Sequence, residues 1–534
     1  MKGIADAPIV RGFQNARRGL AFARTILRTP ITPASAAAAI GTRLAERSAA
    51  FLDTLERGVF AYPDSPYRVL MEAAGYDLGR VRSLVAGHGV EAALERLCAD
   101  GVYITIEEFK GLKEVRRGAR TIRVTPDVFD NPLVSGGLAA SSGGTRSGGI
   151  ITSISPSNLR MGAEHLAVAI AAYGLEELPV VVWLASSHGA SLWAVLALAA
   201  MGRASQWFTT MRPTRSLYLH PYQMAIHGWS RLRGIKLPVP IYVPLTDPSP
   251  ILPWITRTRP RGCGVFTTPS SALRLALAVR DQGLSLEGVT FITIGEPLTA
   301  AKLAGIQGAG GRAFSSLGFT EFGRATYGCA SPVGTDDTHI CKDAVAVIRR
   351  RRTVDRLGSE VDSLLFTSLR PDARKILINM ETGDYAALSR RSCGCFLETV
   401  GWTEHLEGIR SFEKLNAEGR LFFGSQLIEL IEEVLPQRIG GDPTDYQLLE
   451  QEDREGFTRM FLLVHPRLGP IDEAALLEYV AQTLRAEHAT SAERWNETGT
   501  IQVRRQVPVI TKAGKLMPLH HLGFEQPDPS NQVR

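Results

Sequence analysis

Short β-rich runs alternate with helical patterns from about residue 120 onward, and this alternation restricts the possible folds of the chain more than any other feature. Repeated strand-then-helix units predict a layered α/β body whose sheets are largely parallel. Two later segments, 343–349 and 361–367, are expected to be antiparallel and more solvated. The three clearest strand-and-helix pairs are 179–184 with 192–201, 264–267 with 270–282, and 289–294 with 298–306.

The pattern restarts after about residue 409 as a smaller α+β unit. A chain of 534 residues is long enough for more than one structural unit. We expect a large domain over residues 1–409, of which 1–120 form a mostly helical extension, and a small C-terminal cap domain over 410–534, joined by a hinge. The predicted elements of the small unit are an acidic helix at 427–435, a strand at 460–465, a helix at 472–487 and a last strand at 500–504.

The composition excludes several classes of protein. With 44% hydrophobic and 21% charged residues, the chain can bury a sizeable core and is not globally disordered. Six cysteines are too few for a disulfide framework in a chain of this size. No apolar run approaches the ~20 residues of a membrane span, and the first thirty residues show no secretory signal. A cytoplasmic location is therefore expected.

The formal net charge of +6 is concentrated in the first thirty residues. The rest of the chain carries 54 basic and 53 acidic residues, so composition gives no basis for a nucleic-acid partner. The apolar residues of this segment recur near helical spacing, which predicts a basic amphipathic helix. Such a helix either packs on the body, makes a weak contact with an anionic surface or a partner, or serves as an organellar transit peptide. Its charges are Lys2, Arg11, Arg17, Arg18, Arg24 and Arg28 against Asp6.

Residues 140–149, Ala-Ser-Ser-Gly-Gly-Thr-Arg-Ser-Gly-Gly, form the strongest local motif. Glycine lets the backbone approach an anion closely, and N–H groups and hydroxyls can donate to it. The Gly-Lys-Ser/Thr ending of a Walker loop is absent, so a P-loop motor is not predicted. A surface loop without a ligand is the alternative. Four more motifs follow, namely Ile-Gly-Glu-Pro-Leu at 294–298, Ser-Leu-Gly-Phe-Thr-Glu at 316–321, Thr-Gly-Asp at 382–384 and Thr-Lys-Ala-Gly-Lys at 511–515.

In this order and spacing, the five motifs resemble those of the adenylate-forming superfamily, which includes acyl-CoA ligases, peptide-synthetase adenylation domains and luciferase. The resemblance covers roughly residues 130–520. It is closest to the phenylacetate-CoA ligase-like branch, with some similarity to the acyl-protein synthetases of bacterial luminescence. It implies a large α/β domain, a mobile C-terminal cap, and ATP and Mg²⁺ as cofactors.

The resemblance also implies roles for individual residues. Glu321 corresponds to the Mg²⁺ ligand, and Lys515 to the catalytic lysine, for which an exposed surface lysine is the alternative. A cation that touches both reactants offsets the repulsion when a carboxylate attacks an α-phosphate. The implied nucleotide contacts are Ser141, Ser142, Gly143, Gly144 and Thr145 in the phosphate loop, Gly295, Glu296 and Pro297 along the adenine, Thr320 at the phosphate, and Asp384 and Arg410 at the ribose.

The sequence departs from the family pattern in several places. Leu317 replaces the aromatic residue that usually stacks on adenine, and Phe412-Glu413 follow the arginine where paired aspartates are usual. These changes affect the expected substrate and kinetics more than the expected fold. His188 lies where the family has a histidine or an aromatic residue near the acyl pocket. A polar histidine satisfied at a strand end is the alternative for that position.

Cysteine and histidine residues cluster between positions 329 and 395. Three thiolates and one imidazole make a closed tetrahedral zinc site, and several phenylacetate-ligase-like proteins have a similar arrangement. We expect a structural Zn²⁺ because the site would pin the loop just beyond Glu321. A set of reduced, partly buried cysteines is the alternative. The expected ligands are Cys329, His339, Cys393 and Cys395, with Cys341 as the substitute.

The sequence thus predicts an ATP-dependent, AMP-forming ligase. It would convert a carboxylic acid to an acyl-adenylate with release of pyrophosphate, and pass the acyl group to CoA or to the phosphopantetheine of a carrier protein. An amine or protein acceptor, activation of a non-carboxylate group, and a non-catalytic nucleotide-binding scaffold are the alternatives. The acid itself depends on the shape of a pocket that the sequence does not define.

Overall fold

The protein has an α/β fold. The computed structural model describes residues 19–21, 23–134, 138–141, 151–184, 190–210, 221–244, 247–295, 297–353, 360–411, 429–452, 458–485, 501–510, 516 and 519–522. Within these residues there are two six-stranded sheets, one parallel and one antiparallel, and a four-stranded sheet formed by the C-terminal part of the chain. In the same part of the chain, no helix is both long and apolar enough to cross a membrane.

The N-terminal part is mostly helical. A capping box formed by Thr32 and Ser35 starts the helix Pro33–Ala45, and Gly89, with φ of 82°, kinks the long helix Leu78–Ala99. Residues 1–18 of the basic segment lie outside the described residues, but Ala23 and Leu27 are buried in the core, which favours packing on the body. The elements are α1 (Pro33–Ala45), α2 (Arg47–Leu55), α3 (Pro66–Ala73), α4 (Leu78–Ala99), α5 (Ile106–Phe109), β1 (Val115–Arg117) and β2 (Arg120–Ile122).

A parallel sheet with the strand order β10-β9-β8-β5-β6-β7 forms the centre of the large body. Its central strands are buried along their whole length, as expected for strands that helices cover on both faces. The prediction of repeated strand-and-helix units is therefore confirmed. The elements are β3 (Leu138–Ser141), β4 (Ile151–Ile154), α6 (Pro156–Ala172), β5 (Val180–Leu184), α7 (Ala190–Ala200), β6 (Ala204–Thr209), α8 (Pro221–Leu232), β7 (Pro240–Tyr242), α9 (Leu252–Thr258), β8 (Cys263–Thr267), α10 (Pro269–Asp281), β9 (Val289–Thr293), α11 (Ala300–Gly308) and β10 (Arg312–Phe314).

The next segment builds the antiparallel sheet, in the order β13-β14-β18-β17-β16-β15. The prediction of antiparallel strands at 343–349 and 361–367 is confirmed, but the solvated character predicted for them is wrong. Strand β16 is mostly buried, because the N-terminal helices pack against this sheet. The elements are β11 (Gly318–Phe319), β12 (Gly323–Arg324), β13 (Thr326–Gly328), β14 (Thr338–Ile340), β15 (Val345–Thr353), β16 (Glu360–Ser368), β17 (Met380–Arg390), α12 (Phe396–Thr399) and β18 (Glu404–Ser411).

The C-terminal part has its own hydrophobic cluster, which includes Ile431, Leu448 and Leu462. Its sheet has the order β21-β20-β19-β22, and a π-helical turn at Leu430–Val434 precedes it. The boundary at residues 409/410 stays a prediction. The elements are α13 (Leu435–Ile439), β19 (Tyr446–Glu452), β20 (Thr458–Val464), α14 (Glu473–Arg485), β21 (Ile501–Arg505) and β22 (Leu519–Leu522).

The buried carboxylate of Asp343 joins three separate parts of the large body. It accepts hydrogen bonds from Arg43 Nε on α1 (2.7 Å) and from Trp402 Nε1 (3.2 Å), and it lies 2.8 Å from Nε2 of His165 on α6. Burial alone would raise the pKa of Asp343, but His165 and Arg43 lower it to about 2. The charged form of this carboxylate therefore stabilises the packing of the N-terminal helices on the body.

We expect Asp343→Asn to lower the free energy of unfolding by about 2–4 kcal/mol, because it removes one of the two buried carboxylates that pair with Arg43 and leaves only Glu164, at 2.6 Å. The measurement is urea unfolding at neutral pH. The matched control is Asp362→Asn, which removes an exposed carboxylate that pairs with Arg349 at 3.4 Å. This control should change the stability by no more than about 0.5 kcal/mol.

The same contribution should depend on pH. The pKa of Asp343 is lower in the folded chain than in the unfolded one, so its contribution is present above about pH 4 and is lost as the pH falls towards 2. The difference in stability between wild type and Asp343→Asn should shrink over that range. A difference that stays constant down to pH 2 would contradict the assignment.

Candidate functional site

Two of the sequence motifs meet at the carboxyl edge of the parallel sheet. Strands β9 and β10 are parallel neighbours, so their ends lie side by side. Thr293 Oγ1 donates to the carbonyl oxygen of Phe314 at 3.0 Å, and Ser316 Oγ donates to the carbonyl oxygen of Thr293 at 2.8 Å. These hydrogen bonds hold the end of β9, which immediately precedes segment 294–298, against the start of segment 316–321. Ligands of α/β sheets bind beyond this edge.

Thr320 and Glu321 lie in the turn between β11 and β12, where Arg374 supports them. Arg374 Nη1 donates to the carbonyl oxygen of Thr320 at 3.0 Å, and its Nε donates to Asn158 Oδ1 at 3.1 Å. Burial raises the pKa of the Glu321 carboxyl, while Lys375 and Arg374 act in the opposite direction. A partly buried carboxylate in this turn is a suitable oxygen ligand for a hard divalent cation.

Leu317 packs against the hydrophobic core around the antiparallel sheet, and its amide donates to Thr326 Oγ1 at 3.0 Å. Gly295, with φ of 81°, lies in the left-handed region that favours glycine at the turn after β9.

Asp384 and Arg410 lie on neighbouring antiparallel strands, with Asp384 opposite Ser411 and Tyr385 opposite Arg410. The guanidinium of Arg410 donates from Nη1 to Asp336 Oδ2 at 2.8 Å. Sequence reasoning missed Asp336, because nothing in the sequence relates it to a residue 74 positions away. Arg410 therefore pairs with a carboxylate of the protein itself, and a ligand would be an additional partner.

The four residues predicted to bind zinc come together. One donor atom of each of Cys329, His339, Cys393 and Cys395 lies within 4.8 Å of the others. His339 Nε2 is 3.2 Å from Cys395 Sγ and 3.5 Å from Cys393 Sγ. Donor atoms around a tetrahedral Zn²⁺ lie roughly 3–4 Å apart, so this donor set fits the ion in chemistry and in spacing.

The surroundings of the cluster orient its donors. Nδ1 of His339 lies 2.6 Å from the carbonyl oxygen of Trp402, which fixes the tautomer that leaves Nε2 to face the thiols. A hydrogen bond from Cys329 and the neighbouring His339 lower the pKa of Cys395, while the pKa of Cys329, the donor in that bond, is raised. Cys341 is buried but does not belong to the group.

Three further polar residues lie beside the cluster, namely Asp337, His405 and Arg391. The sequence did not predict their position there. Asp337 Oδ1 lies 2.7 Å from His405 Nδ1, and its Oδ2 accepts from Arg391. Arg391 also contacts Cys329 Sγ at 3.5 Å. Burial would raise the pKa of Asp337, but His405 and Arg391 keep it below its usual value.

Several predicted site residues lie outside the described residues. Ser141 lies in β3, where only its backbone is described. Strand β3 pairs with β4, so the predicted phosphate loop begins in a hairpin. The predicted residues outside the described part are Ser142, Gly143, Gly144, Thr145, His188, Glu296 and Lys515.

No family model and no curated protein matches the chain. Among solved structures, 2-hydroxyisobutyryl-CoA ligase in complex with 2-HIB-AMP and CoA is 16% identical, with a TM-score of 0.44 over 92% of this chain and 91% of that chain. McyG A-PCP complexed with phenylalanyl-adenylate is 11% identical, with a TM-score of 0.40 over 92% and 94%. O-succinylbenzoate Coenzyme A synthetase of Bacillus subtilis in complex with AMP is 12% identical, with a TM-score of 0.39 over 71% and 67%. Likenesses at this level do not establish an activity.

We expect purified protein to contain about one zinc ion per chain, bound by three thiolates and His339. Cys393→Ser should weaken zinc binding by more than about 100-fold, because it removes a ligand from the group. The measurement is elemental analysis followed by competition with a chromogenic chelator.

Cys341→Ser is the matched control, since it removes a neighbouring buried thiol that lies outside the group. It should leave the zinc content unchanged. Loss of zinc from Cys341→Ser but not from Cys393→Ser would mean that Cys341, and not Cys393, is a zinc ligand. Purified wild type that takes up no zinc would contradict the site altogether.

Proposed function

We propose that the protein activates a carboxylic acid with ATP, forming an acyl-adenylate and pyrophosphate, and then transfers the acyl group to the thiol of CoA or of a carrier-protein phosphopantetheine. The observation that supports this most is the parallel pairing of β9 with β10, which joins segments 294–298 and 316–321 at one edge of the sheet. These are the segments whose sequences match an adenine wall and a phosphate- and Mg²⁺-binding turn.

In the first step, an oxygen of the substrate carboxylate attacks the α-phosphorus of ATP, and the bond from that phosphorus to the bridging oxygen of the β-phosphate breaks. Both reactants are anions, so positive charge close to the α-phosphate lowers the barrier. Lys515 supplies this charge from the C-terminal unit; a lysine on a flexible stem suits delivery by a moving element. In the second step, the thiol attacks the acyl carbonyl and AMP leaves.

The remaining residues bind and orient the nucleotide. Residues 141–145 hold the phosphates through backbone N–H groups and hydroxyls, and Thr320 contacts the α-phosphate. Gly295, Glu296 and Pro297 line the adenine. The Asp384 carboxylate accepts hydrogen bonds from the ribose hydroxyls, with Arg410 on the neighbouring strand.

Two metal ions have separate roles in this proposal. Glu321 holds the Mg²⁺, which neutralises the charge of the pyrophosphate when it is bound. The zinc site is structural, because a donor set of four protein ligands leaves no open position for a substrate. His188 lies near the acyl pocket in this scheme, and the pocket selects the acid.

Lys515→Ala should reduce the rate of acyl-adenylate formation by about 100-fold or more, since it removes the cation that offsets the developing charge. Pyrophosphate release should be measured with a panel of aliphatic and aromatic acids. Lys512→Ala is the matched control, because it removes a lysine of the same motif three residues earlier and should leave the rate near that of wild type.

The outcomes of that assay separate the alternatives. If wild type binds ATP but releases no pyrophosphate with any acid, the protein is a nucleotide-binding scaffold. If wild type releases pyrophosphate and Lys515→Ala does so equally fast, the lysine is not the catalytic one. Acyl transfer that occurs with an amine but not with CoA would replace the thiol acceptor.

Glu321→Gln should raise the Mg²⁺ concentration needed for half-maximal pyrophosphate release by about tenfold or more, because an amide oxygen is a weaker ligand than a carboxylate. The control is Glu287→Gln, which changes an exposed glutamate beside β9. An unchanged Mg²⁺ dependence in Glu321→Gln would remove this residue from the metal site.

A further inference from the structure

Two consecutive buried aspartates, Asp336 and Asp337, lie in the loop between β13 and β14, and their carboxylates serve different sites. Asp336 is 4% exposed and Asp337 is 2% exposed. A buried carboxylate is stable only when donors or cations surround it. The partners of these two side chains therefore show what the loop holds in place.

Asp336 holds the end of strand β18. Its Oδ1 accepts from the amide of Gly408 and its Oδ2 from the amide of Ile409, both at 2.9 Å. The same Oδ2 accepts from Arg410 Nη1 at 2.8 Å. One carboxylate thus fixes three successive residues, of which the last is the arginine assigned to the nucleotide.

Asp337 holds the cysteine and histidine cluster. Besides contacting His405 and Arg391, its Oδ2 accepts from the amide of Val333 at 3.0 Å. Its own carbonyl oxygen accepts from the amide of Cys329 at 2.9 Å. The loop that carries both aspartates is therefore tied to a zinc ligand through its backbone and through its side chains.

We propose that Asp336 is a positioning residue for Arg410, and that zinc binding at Cys329, His339, Cys393 and Cys395 determines how firmly Asp336 holds it. The expected consequence is that zinc increases the affinity for ATP, and this consequence rests on the proposed function. A single peptide unit joins Asp336 to Asp337, so a loop that is free to move at Asp337 cannot keep the Asp336 carboxylate in register with β18.

The geometry predicts the direction of the effect. Both described contacts of the Arg410 guanidinium use Nη1, one to Asp336 and one to the carbonyl oxygen of Ile409. A guanidinium has five N–H donors in a planar fork, so Nη2 and Nε can still face a nucleotide. Asp336 therefore orients Arg410 for a ligand, and an ordered side chain binds at a lower entropic cost.

Hydrogen exchange tests the coupling without any nucleotide. In zinc-loaded wild type, the amides of Gly408 and Ile409 should be protected, and removal of zinc with a chelator should reduce that protection by about tenfold. In Asp336→Asn, which keeps the shape but loses the charge, these amides should exchange at one rate with and without zinc. Asp362→Asn, an exposed carboxylate of the same sheet, should behave as wild type.

Affinity for ATP tests the consequence. We expect zinc removal to weaken ATP binding by about five- to tenfold in wild type, and by less than twofold in Asp336→Asn. Wild type and Asp336→Asn should contain the same amount of zinc. If Asp336 only stabilised the cysteine and histidine cluster, the variant would contain less zinc. Titration calorimetry with ATP and Mg²⁺ measures both constants.

Three results would overturn the inference. The first is equal protection of residues 408 and 409 in zinc-loaded and zinc-free wild type. The second is a loss of protection that includes β9 of the parallel sheet, since it would mean global unfolding. The third is a zinc effect on ATP affinity that persists in Asp336→Asn. If wild type binds no ATP in either state, the proposed function fails, and hydrogen exchange still decides the role of Asp336.

Discussion

The buried carboxylate of Asp343 is the interaction on which the arrangement of the large body depends. It pairs with Arg43 of the N-terminal helices and His165 of the helix beside the parallel sheet, and it accepts from the indole of Trp402. The carbonyl oxygen of Trp402 in turn orients His339 of the cysteine and histidine cluster. Burying a charge without partners costs several kcal/mol, so these contacts favour the packing of α1, α6 and the segment of Trp402 against one another. The candidate sites are built on that frame.

The features that follow local rules were predictable from the sequence. Alternating apolar runs and helical patterns gave the parallel sheet, because each strand and its helix are close in the chain. The clustering of four of the six cysteines between positions 329 and 395 predicted the candidate metal site. The sequence favoured Cys329, His339, Cys393 and Cys395, with Cys341 as the substitute, and the structure brings the first four together without Cys341.

The pairing of charges was not predictable, since the partners are far apart in the chain. Arg43 and Asp343 are separated by 300 positions, and Arg410 and Asp336 by 74. The sequence predicted that Arg410 binds the ribose, whereas the structure also pairs it with the carboxylate of Asp336. In the sequence, Asp336 and Asp337 are indistinguishable from other loop aspartates. Their partners come close only because β18 pairs with β14. Such residues become visible only when the fold brings their donors together.

One buried ion pair restricts how the proposed cap can move. Lys302 on α11 lies 2.7 Å from Glu432 of the C-terminal π-helical turn, and the two side chains are 3% and 2% exposed. Thr299, which caps α11, also donates to Glu432. Separating such a pair without new partners costs several kcal/mol. Any movement of the proposed cap away from α11 would therefore require substitute partners for Lys302 and Glu432. Water is one such substitute, and it would enter next to segment 294–298, because Lys302 Nζ lies 3.5 Å from the carbonyl oxygen of Pro297.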